Sequence, residues 1–474
     1  MLDPLSPTFT VDVLALGIII GWLFVWSMHL IAIIYGKYRL HRKVVKFPAE
    51  HPYPGVSILK PLMGVDPHLL GNLETFFTLN YPKFELLICV EDESDPAIMI
   101  AKSLIEKYPG VNARLFIGGE DVGVNPKINN MQPGYAAAKY ELIMISDSGI
   151  RVKEDTLLDM VSYMRDDIAL VHQMPFTYDR DGFAATFEKI YFGTIQSRIY
   201  LSAEFFSIIC HTGMSTLMRK KLIDEVGGIR SFGCYLAEDY FFAKSLRDRG
   251  WKSCISSQPA LQNSGVCDLS SFQKRLSRWV KLRVAMVPFT MILEPLSECL
   301  ILGAIAAMSA NYLFKWDFTV FYLVHVLAWF LLDWILLCTV QAGSVPFSKF
   351  AFAIGWLFRE ISGPYLFVCA VMDQTIQWRT RTFRLHWGGI AEEIKPKIKL
   401  SKICAARRHT SCAASACAPA HPTFAKLSRF AYESTHSSAT IRRGVRRLIL
   451  QQLPRKRAAN LDQKQRAERS KKAE

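Results

Sequence analysis

The chain has 474 residues, half of them hydrophobic and 12% aromatic, with a mean hydropathy of +0.15. That excludes a wholly disordered polypeptide and points to a membrane-attached globular protein of two or three domains. The net charge of +15 belongs to one end: residues 395–474 hold 20 Lys and Arg against four acids, so the remaining body is near neutral and is read as no nucleic-acid binder.

Residues 13–35 form a nearly unbroken apolar run of 23 residues, long enough to cross a bilayer. The run lacks the basic front and cleavage site of a removable signal and reads as an uncleaved anchor. Asp3 and Asp12 precede it, and Lys37, Arg39, Arg42 and Lys43 follow. The positive-inside bias then puts the N-terminus outside and the next domain in the cytosol. The eleven cysteines include no C-x-x-C pair. They favour neither a zinc ribbon nor a disulfide framework, and fit reduced thiols facing the cytosol.

From residue 54 to 173, short apolar runs alternate with amphipathic ones. Strands are predicted at 56–59, 84–90, 114–117, 142–146 and 168–172, and helices at 67–77, 96–107, 133–139 and 154–165. Alternating βα units predict an α/β fold with a mostly parallel sheet, whose ligands sit beyond the carboxyl ends of its strands. Asp92 and Asp147 fall there. Residues 183–283 read as more helical, with 271–290 resembling an interfacial helix. Apolar segments follow at 296–314, 318–340 and 350–371. The second carries His325 and Asp333, and the third carries Arg359-Glu360. Charges inside a span are expected to face protein, water or each other. The third segment is open between a crossing and a partial one. The expected divisions are an anchor at 1–36, a catalytic domain at 37–288, membrane segments at 289–372, a juxtamembrane piece at 373–394 and a basic tail at 395–474. The tail is expected to be mostly disordered, with an amphipathic stretch at 441–453 and anionic lipid as a partner. Its Lys471-Lys472 pair resembles a retrieval signal.

Chemistry concentrates in V-E-D-E-S-D with Asp92, I-S-D-S-G with Asp147, L-A-E-D-Y with Glu238-Asp239, and R-L-S-R-W with Arg275, Arg278 and Trp279. Transferring a sugar from a nucleotide diphosphate requires a grip on the nucleotide, neutralisation of the departing diphosphate and removal of a proton from the acceptor. Asp92 suits a base or ribose. Asp147 suits Mg2+ or Mn2+, hard cations that prefer oxygen. Asp239 suits a general base. Arg275 and Arg278 suit a phosphate clamp, and Trp279 a stacking surface. Lys60 and Lys127, expected in loops near strand ends, are further candidates for the phosphates. Each piece alone has a bland reading. D-S-G is a common turn, Glu238-Asp239 suits a helix N-terminus, and R-x-x-R-W suits an interfacial anchor.

The order of these motifs resembles family-2-like glycosyltransferases of the GT-A fold. The longer stretches N-P-K-I-N-N, D-S-G-I-R-V, T-G-M-S, A-E-D-Y-F and F-Q-K-R-L-S-R-W-V-K-L-R are similar to the ceramide glucosyltransferase family, over roughly residues 11–394. The resemblance implies a GT-A-type, Rossmann-like catalytic domain with transmembrane helices. It implies inverting transfer of glucose from UDP-glucose to the primary hydroxyl of ceramide at a Golgi or ER membrane. It also implies uridine contact at Asp92, the metal at Asp147 and the base at Asp239. Two departures stand out. Gly149 occupies the place of a second metal carboxylate, and Gln196 stands where relatives carry His. A polysaccharide synthase and a non-catalytic scaffold of the same fold are the alternative readings.

Overall fold

The computed structural model describes residues 7–44, 52–265, 268–289, 294–373, 375–378 and 381–394. In chain order it opens on α1 (Pro7–Arg39), then β1 (Val56–Leu62), α2 (Leu69–Phe77), β2 (Phe84–Val90), α3 (Ala97–Lys107), β3 (Ala113–Ile117), α4 (Pro126–Ala136) and β4 (Leu142–Ser146). There follow β5 (Ile150–Arg151), α5 (Thr156–Ser162), β6 (Ile168–His172), β7 (Pro175–Thr177), α6 (Phe183–Tyr191), a π-helical turn at Phe192–Gln196 and α7 (Ser197–Phe205). The domain closes with β8 (Ser215–Arg219), α8 (Lys220–Asp224), α9 (Glu238–Asp248), β9 (Lys252–Ile255), β10 (Ala260–Gln262) and α10 (Leu269–Met286).

The main sheet has the order β3-β2-β1-β4-β8-β6-β9. Every pairing is parallel except the two that β8 makes, with β4 and β6. The α/β class and mostly parallel sheet are therefore as predicted, and all five predicted strands exist. The antiparallel β8 was not predicted. It is five residues, S-T-L-M-R, inside a stretch whose periodicity is helical, and its place comes from pairing on both sides rather than from local preference. Alternate residues of the strands feed two cores. Leu86 and Ile88 enter one core with α2 and α3, while Leu87 and Cys89 enter the other with α4 and α9.

Helix α4 starts seven residues before its predicted start. The opener is Asn125-Pro126, with Asn125 as cap, not Pro133. Pro133 lies inside the helix without stranding a carbonyl, because the Asn129 oxygen that its missing N–H would have satisfied accepts the Glu120 N–H at 3.0 Å.

Among the described residues, two helices, Thr10–Arg39 and Phe318–Gln341, are long and apolar enough to cross a membrane. The helix Cys299–Phe314 is shorter, and Lys349–Met372 contains Pro364 and the Arg359-Glu360 pair. The charges of these helices do meet each other. Asp333 accepts hydrogen bonds from Trp356 Nε1 at 2.8 Å and Arg359 Nη2 at 3.0 Å. His29 of α1 lies 3.3 Å from the same carboxylate and Arg198 of α7 lies 3.5 Å from it. Arg359 also pairs with Glu360 and bonds Thr194 of the π-helical turn. A buried polar node thus fastens these apolar helices to α7 and the π-helical turn, and residues 1–393 form one compact unit. The tail at 395–474, its 441–453 stretch and Lys471-Lys472 lie outside the described residues.

The stretch expected to be interfacial, 271–290, is occupied for most of its length by α10. Helix α10 turns Phe272, Leu276, Val280 and Val284 inward. Lys281 is held by Asp373 at 2.9 Å and by the Thr375 carbonyl at 2.8 Å, and Arg283 by Glu294. Both cations have partners within the protein, and the small sheet β11 (Thr375–Trp378), β12 (Arg381–Leu385) and β13 (Ala391–Glu393) packs against α10.

Candidate active site

The ends of β4, α4 and α9 meet at one buried node, and Asn125 builds it. Its Oδ1 accepts the Lys127 and Ile128 N–H groups at 2.8 and 3.3 Å. Its Nδ2 donates to the Tyr235 carbonyl at 2.7 Å and to Glu238 Oε2 at 2.8 Å. One fully buried amide therefore caps α4 and fastens it to the start of α9. This aims Lys127, in the first turn of α4 and not in a loop, across the gap. Its Nζ sits 2.7 Å from Asp147 Oδ1, 3.0 Å from Glu238 Oε1 and 3.4 Å from the Gly213 carbonyl. Burial pulls the ammonium's pKa down, but Asp147 and Glu238 outweigh that and hold it above the ordinary lysine value.

Asp239 begins α9 beside Glu238. Its Oδ2 accepts the Gly213 N–H and its Oδ1 the Tyr240 N–H. The approach of Gly213 requires the absence of a side chain, since a Cβ there would fall 2.6 Å from the Asp239 Cβ. Burial raises the pKa of Asp239, with Lys127 and the two N–H groups opposing and the charge of Asp147 adding to the rise. Glu238 is likewise raised by burial, with Lys127 opposing. Beneath them His211 contacts Thr216 Oγ1 at 3.1 Å, and burial together with the Lys127 charge holds its pKa down to about 3, so it is neutral.

Lys60 is also not in a loop. It lies within β1, fully buried. Its Nζ donates to the Asp147 carbonyl at 2.6 Å, Ser146 Oγ at 3.3 Å and the Ile150 carbonyl at 3.4 Å, and sits 3.8 Å from the Phe76 ring centroid. Burial lowers its pKa well below the usual value, against Asp147. The residue is a clasp under the D-S-G turn rather than a cation facing a ligand. Asp147, half-exposed above it, is the carboxylate that faces outward.

The other predicted residues make no contact with this node among the described contacts. Asp92 follows β2, on the far side of β1 from Asp147. Its Oδ1 accepts Ser94 N–H at 2.8 Å and Ser94 Oγ–H at 2.7 Å, bonds that hold its exposed carboxyl below the usual pKa. On α10, Arg275 pairs with buried Glu188, which also holds Arg180. The Arg275 guanidinium lies between Phe272 at 5.1 Å and Trp279 at 5.3 Å. Arg278 stands 5.3 Å from the Trp378 ring. Trp279 is partly buried against Phe192, 5.9 Å away, so it is more a packing residue than an open stacking platform. A cavity of about 300 Å³ opens beside Arg275 and Arg278, lined also by Ser264, Asp268 and Lys274.

A divalent ion would find one outward carboxylate here. No group of three or more His, Cys, Asp or Glu is placed to hold a metal among the described residues. Asp147 with substrate phosphate oxygens and water fits Mg2+ or Mn2+ in the shared manner of nucleotide sites, not as a protein cage. Asn125, Gly213 and Glu188 were missed by residue-by-residue reading. Asn-Pro is a helix-start signal that could have found Asn125; nothing local marks the other two.

Residues 24–391 match glycosyl transferase family 21. The chain is 48% identical over 383 residues to ceramide glucosyltransferase 3 of Caenorhabditis elegans, covering 80% of this chain and 83% of that one. It is 46% identical over 374 residues to ceramide glucosyltransferase 1 of the same organism, covering 78% and 80%. The ceramide glucosyltransferase of Komagataella phaffii is 28% identical over 485 residues, covering 83% and 94%. Among solved structures, a mannosyltransferase from Pyrobaculum calidifontis in complex with GDP-Man and Mn2+ aligns at 15% identity and a TM-score of 0.43, over 77% of this chain and 98% of its own, too distant to place any residue. The chain therefore belongs to glycosyl transferase family 21 and is a glycosyltransferase, in the company of the nematode ceramide glucosyltransferases.

Proposed function

We propose that the enzyme transfers glucose from UDP-glucose to the primary hydroxyl of ceramide by one inverting displacement. The observation that carries the chemistry is the node itself: Asp239, Glu238 and Asp147 are gathered around the single ammonium of Lys127. The acceptor oxygen attacks the anomeric carbon, its proton passes to Asp239, and the bond to the diphosphate breaks with the electron pair leaving on UDP. An α-linked donor then gives a β-glucoside. The raised pKa of Asp239 suits a base, since it strengthens proton affinity while the Gly213 and Tyr240 N–H groups hold the carboxylate in place.

Asp147 would hold a divalent metal against the diphosphate, and the bound ion would offset charge on the leaving group. Lys127 adds a fixed positive charge beside that position and offsets charge on the diphosphate directly, while Gly149 leaves the metal without a second carboxylate. Lys60 keeps the D-S-G turn in shape. Asp92 contacts the uridine from the end of β2. Arg275, Arg278 and Trp279 line the approach to the diphosphate and acceptor. The reading places the enzyme in a Golgi or ER membrane with the catalytic domain facing the cytosol. The sequence relatives named ceramide glucosyltransferase support the acceptor, and the two membrane-length helices support its delivery from a bilayer.

The test is incubation of detergent-solubilised protein with UDP-glucose or UDP-galactose and short-chain ceramide, with and without EDTA. Transfer of glucose to ceramide is expected, with EDTA lowering the rate. Absence of transfer from UDP-glucose refutes the reading, and full activity in Asp239→Asn refutes the base.

A further inference from the structure

The four residues after Glu204, F-F-S-I, present an apolar tip that the fold gives no cover: Phe205 is 52% exposed, Phe206 46% and Ile208 59%. The tip is a built feature. Ser207 adopts a φ of 56°, a left-handed conformation unusual outside glycine. Its N–H bonds the Glu204 carbonyl at 3.0 Å, and the Ile208 N–H bonds the Ala203 carbonyl at 2.8 Å. This paired closure of a helix end fixes Ile208 outward.

Its surroundings say what it meets. Phe205 packs edge-on against Tyr35 of α1, with ring centroids 5.9 Å apart. On α1 the neighbouring Ile34 and Tyr38 are 69% and 65% exposed, so the tip extends the apolar surface of the membrane helix. Both are fastened at one point, because the Ile255 carbonyl accepts Arg39 Nε at 2.7 Å and the Ile255 N–H donates to Glu204 at 3.0 Å. The roughly 20 residues that cross a hydrocarbon core, counted back from Tyr35, end near Ala15. That sets Tyr35, Tyr38 and Arg42, whose guanidinium lies 4.7 Å from the Tyr38 ring, at interface depth. The tip is at the same level. Beyond it the chain runs through Thr212, whose hydroxyl bonds Tyr200, to Gly213, whose N–H holds Asp239. Four residues separate Ile208 from Gly213, the partner of Asp239.

We propose that the Phe205–Ile208 tip inserts into the bilayer leaflet on the catalytic side and is where the lipid acceptor leaves the membrane toward Asp239. This rests on the acceptor reading above. The tip supplies a rigid apolar wedge among the acyl chains. The polar head of the acceptor then has a short path along residues 209–213, while its chains stay in the leaflet.

The test compares the wild type and a Phe205→Ser/Phe206→Ser/Ile208→Ser variant on two acceptors: long-chain ceramide in phosphatidylcholine vesicles carrying the reconstituted enzyme, and short-chain ceramide in detergent. Burying three large apolar side chains is strong enough that the variant should lose roughly tenfold or more in kcat/KM on the vesicle acceptor. The detergent assay and the KM for UDP-glucose should stay within about twofold, since neither needs insertion. An unchanged ratio between the two assays overturns the proposal. A photoreactive benzoylphenylalanine at Ile208, in the otherwise native chain in the same vesicles, should form adducts with phosphatidylcholine; absence of lipid adducts also overturns it. If wild-type enzyme transfers to neither acceptor, the acceptor reading fails instead.

Discussion

Replacing Lys127 by Met removes the ammonium on which the candidate site is centred while keeping the length of the side chain. Two consequences follow from the geometry. Glu238, with 5% of its side chain exposed, loses a cation 3.0 Å away. At an effective dielectric near 20 that attraction is about 5 kcal/mol. The realised cost is lower, about 3 kcal/mol, the lower end for breaking a buried pair, because Glu238 already has a raised pKa and takes up a proton. The Asp147 contact adds little to stability, since that carboxylate is 42% exposed. The second consequence is catalytic. A fixed cation beside a departing diphosphate is worth about 10²–10³ in rate when removed. Thermal unfolding in detergent and steady-state kinetics with UDP-glucose and short-chain ceramide separate the two effects. Adding Glu238→Gln to Lys127→Met should recover most of the lost stability and none of the lost kcat. A Lys127→Met enzyme within threefold of wild type in kcat/KM, or a double variant with restored activity, refutes the assignment of the charge to leaving-group stabilisation.

Two further outcomes can be checked. Because burial raises Asp239 and the base must be ionised to accept a proton, kcat/KM should fall on the acid side through a pKa above the usual aspartate value of about 3.9, the limb moving down if Asp147→Asn removes the like charge; a profile flat to pH 4 would contradict this. Glu188→Gln leaves Arg180 and Arg275 without their shared buried anion, and should cost about 3 kcal/mol in thermal stability and raise the KM for UDP-glucose; an unaltered melting temperature and KM would show that the pair plays no part in shaping the α10 cavity.

Much of the fold was legible because its signals are local. The 23-residue apolar run and the five strands alternating with four helices announce a membrane helix and a parallel α/β sheet from periodicity alone. Asp92 and Asp147 were found for the same reason: they follow apolar strands, and the carboxyl ends of such strands carry ligands. Sequence also supplied Asp239 and Lys127 as candidates, the first from its motif and the second from its charge. It could not distinguish Lys127 from Lys60. Both are lysines near strand ends, yet one bridges carboxylates at the site and the other lies fully buried beneath a turn. That difference depends on pairings between residues 20 to 111 positions apart.

The same limit explains the other corrections. Helix α10 has the basic-aromatic mixture of an interfacial helix, and nothing local announces that the small sheet from residue 375 onward supplies a partner for Lys281. Strand β8 has no pattern of its own and exists because β4 and β6 offer it two edges. Gly213 is ordinary in T-G-M-S until α9 brings Asp239 against it. Composition and periodicity determined the class of the protein, its membrane attachment and the kind of chemistry its acids can perform. Which acid shares which cation, and which glycine closes on Asp239, was decided only when distant segments were packed together, because a hydrogen bond or an ion pair is set by ångströms in space and not by spacing along the chain.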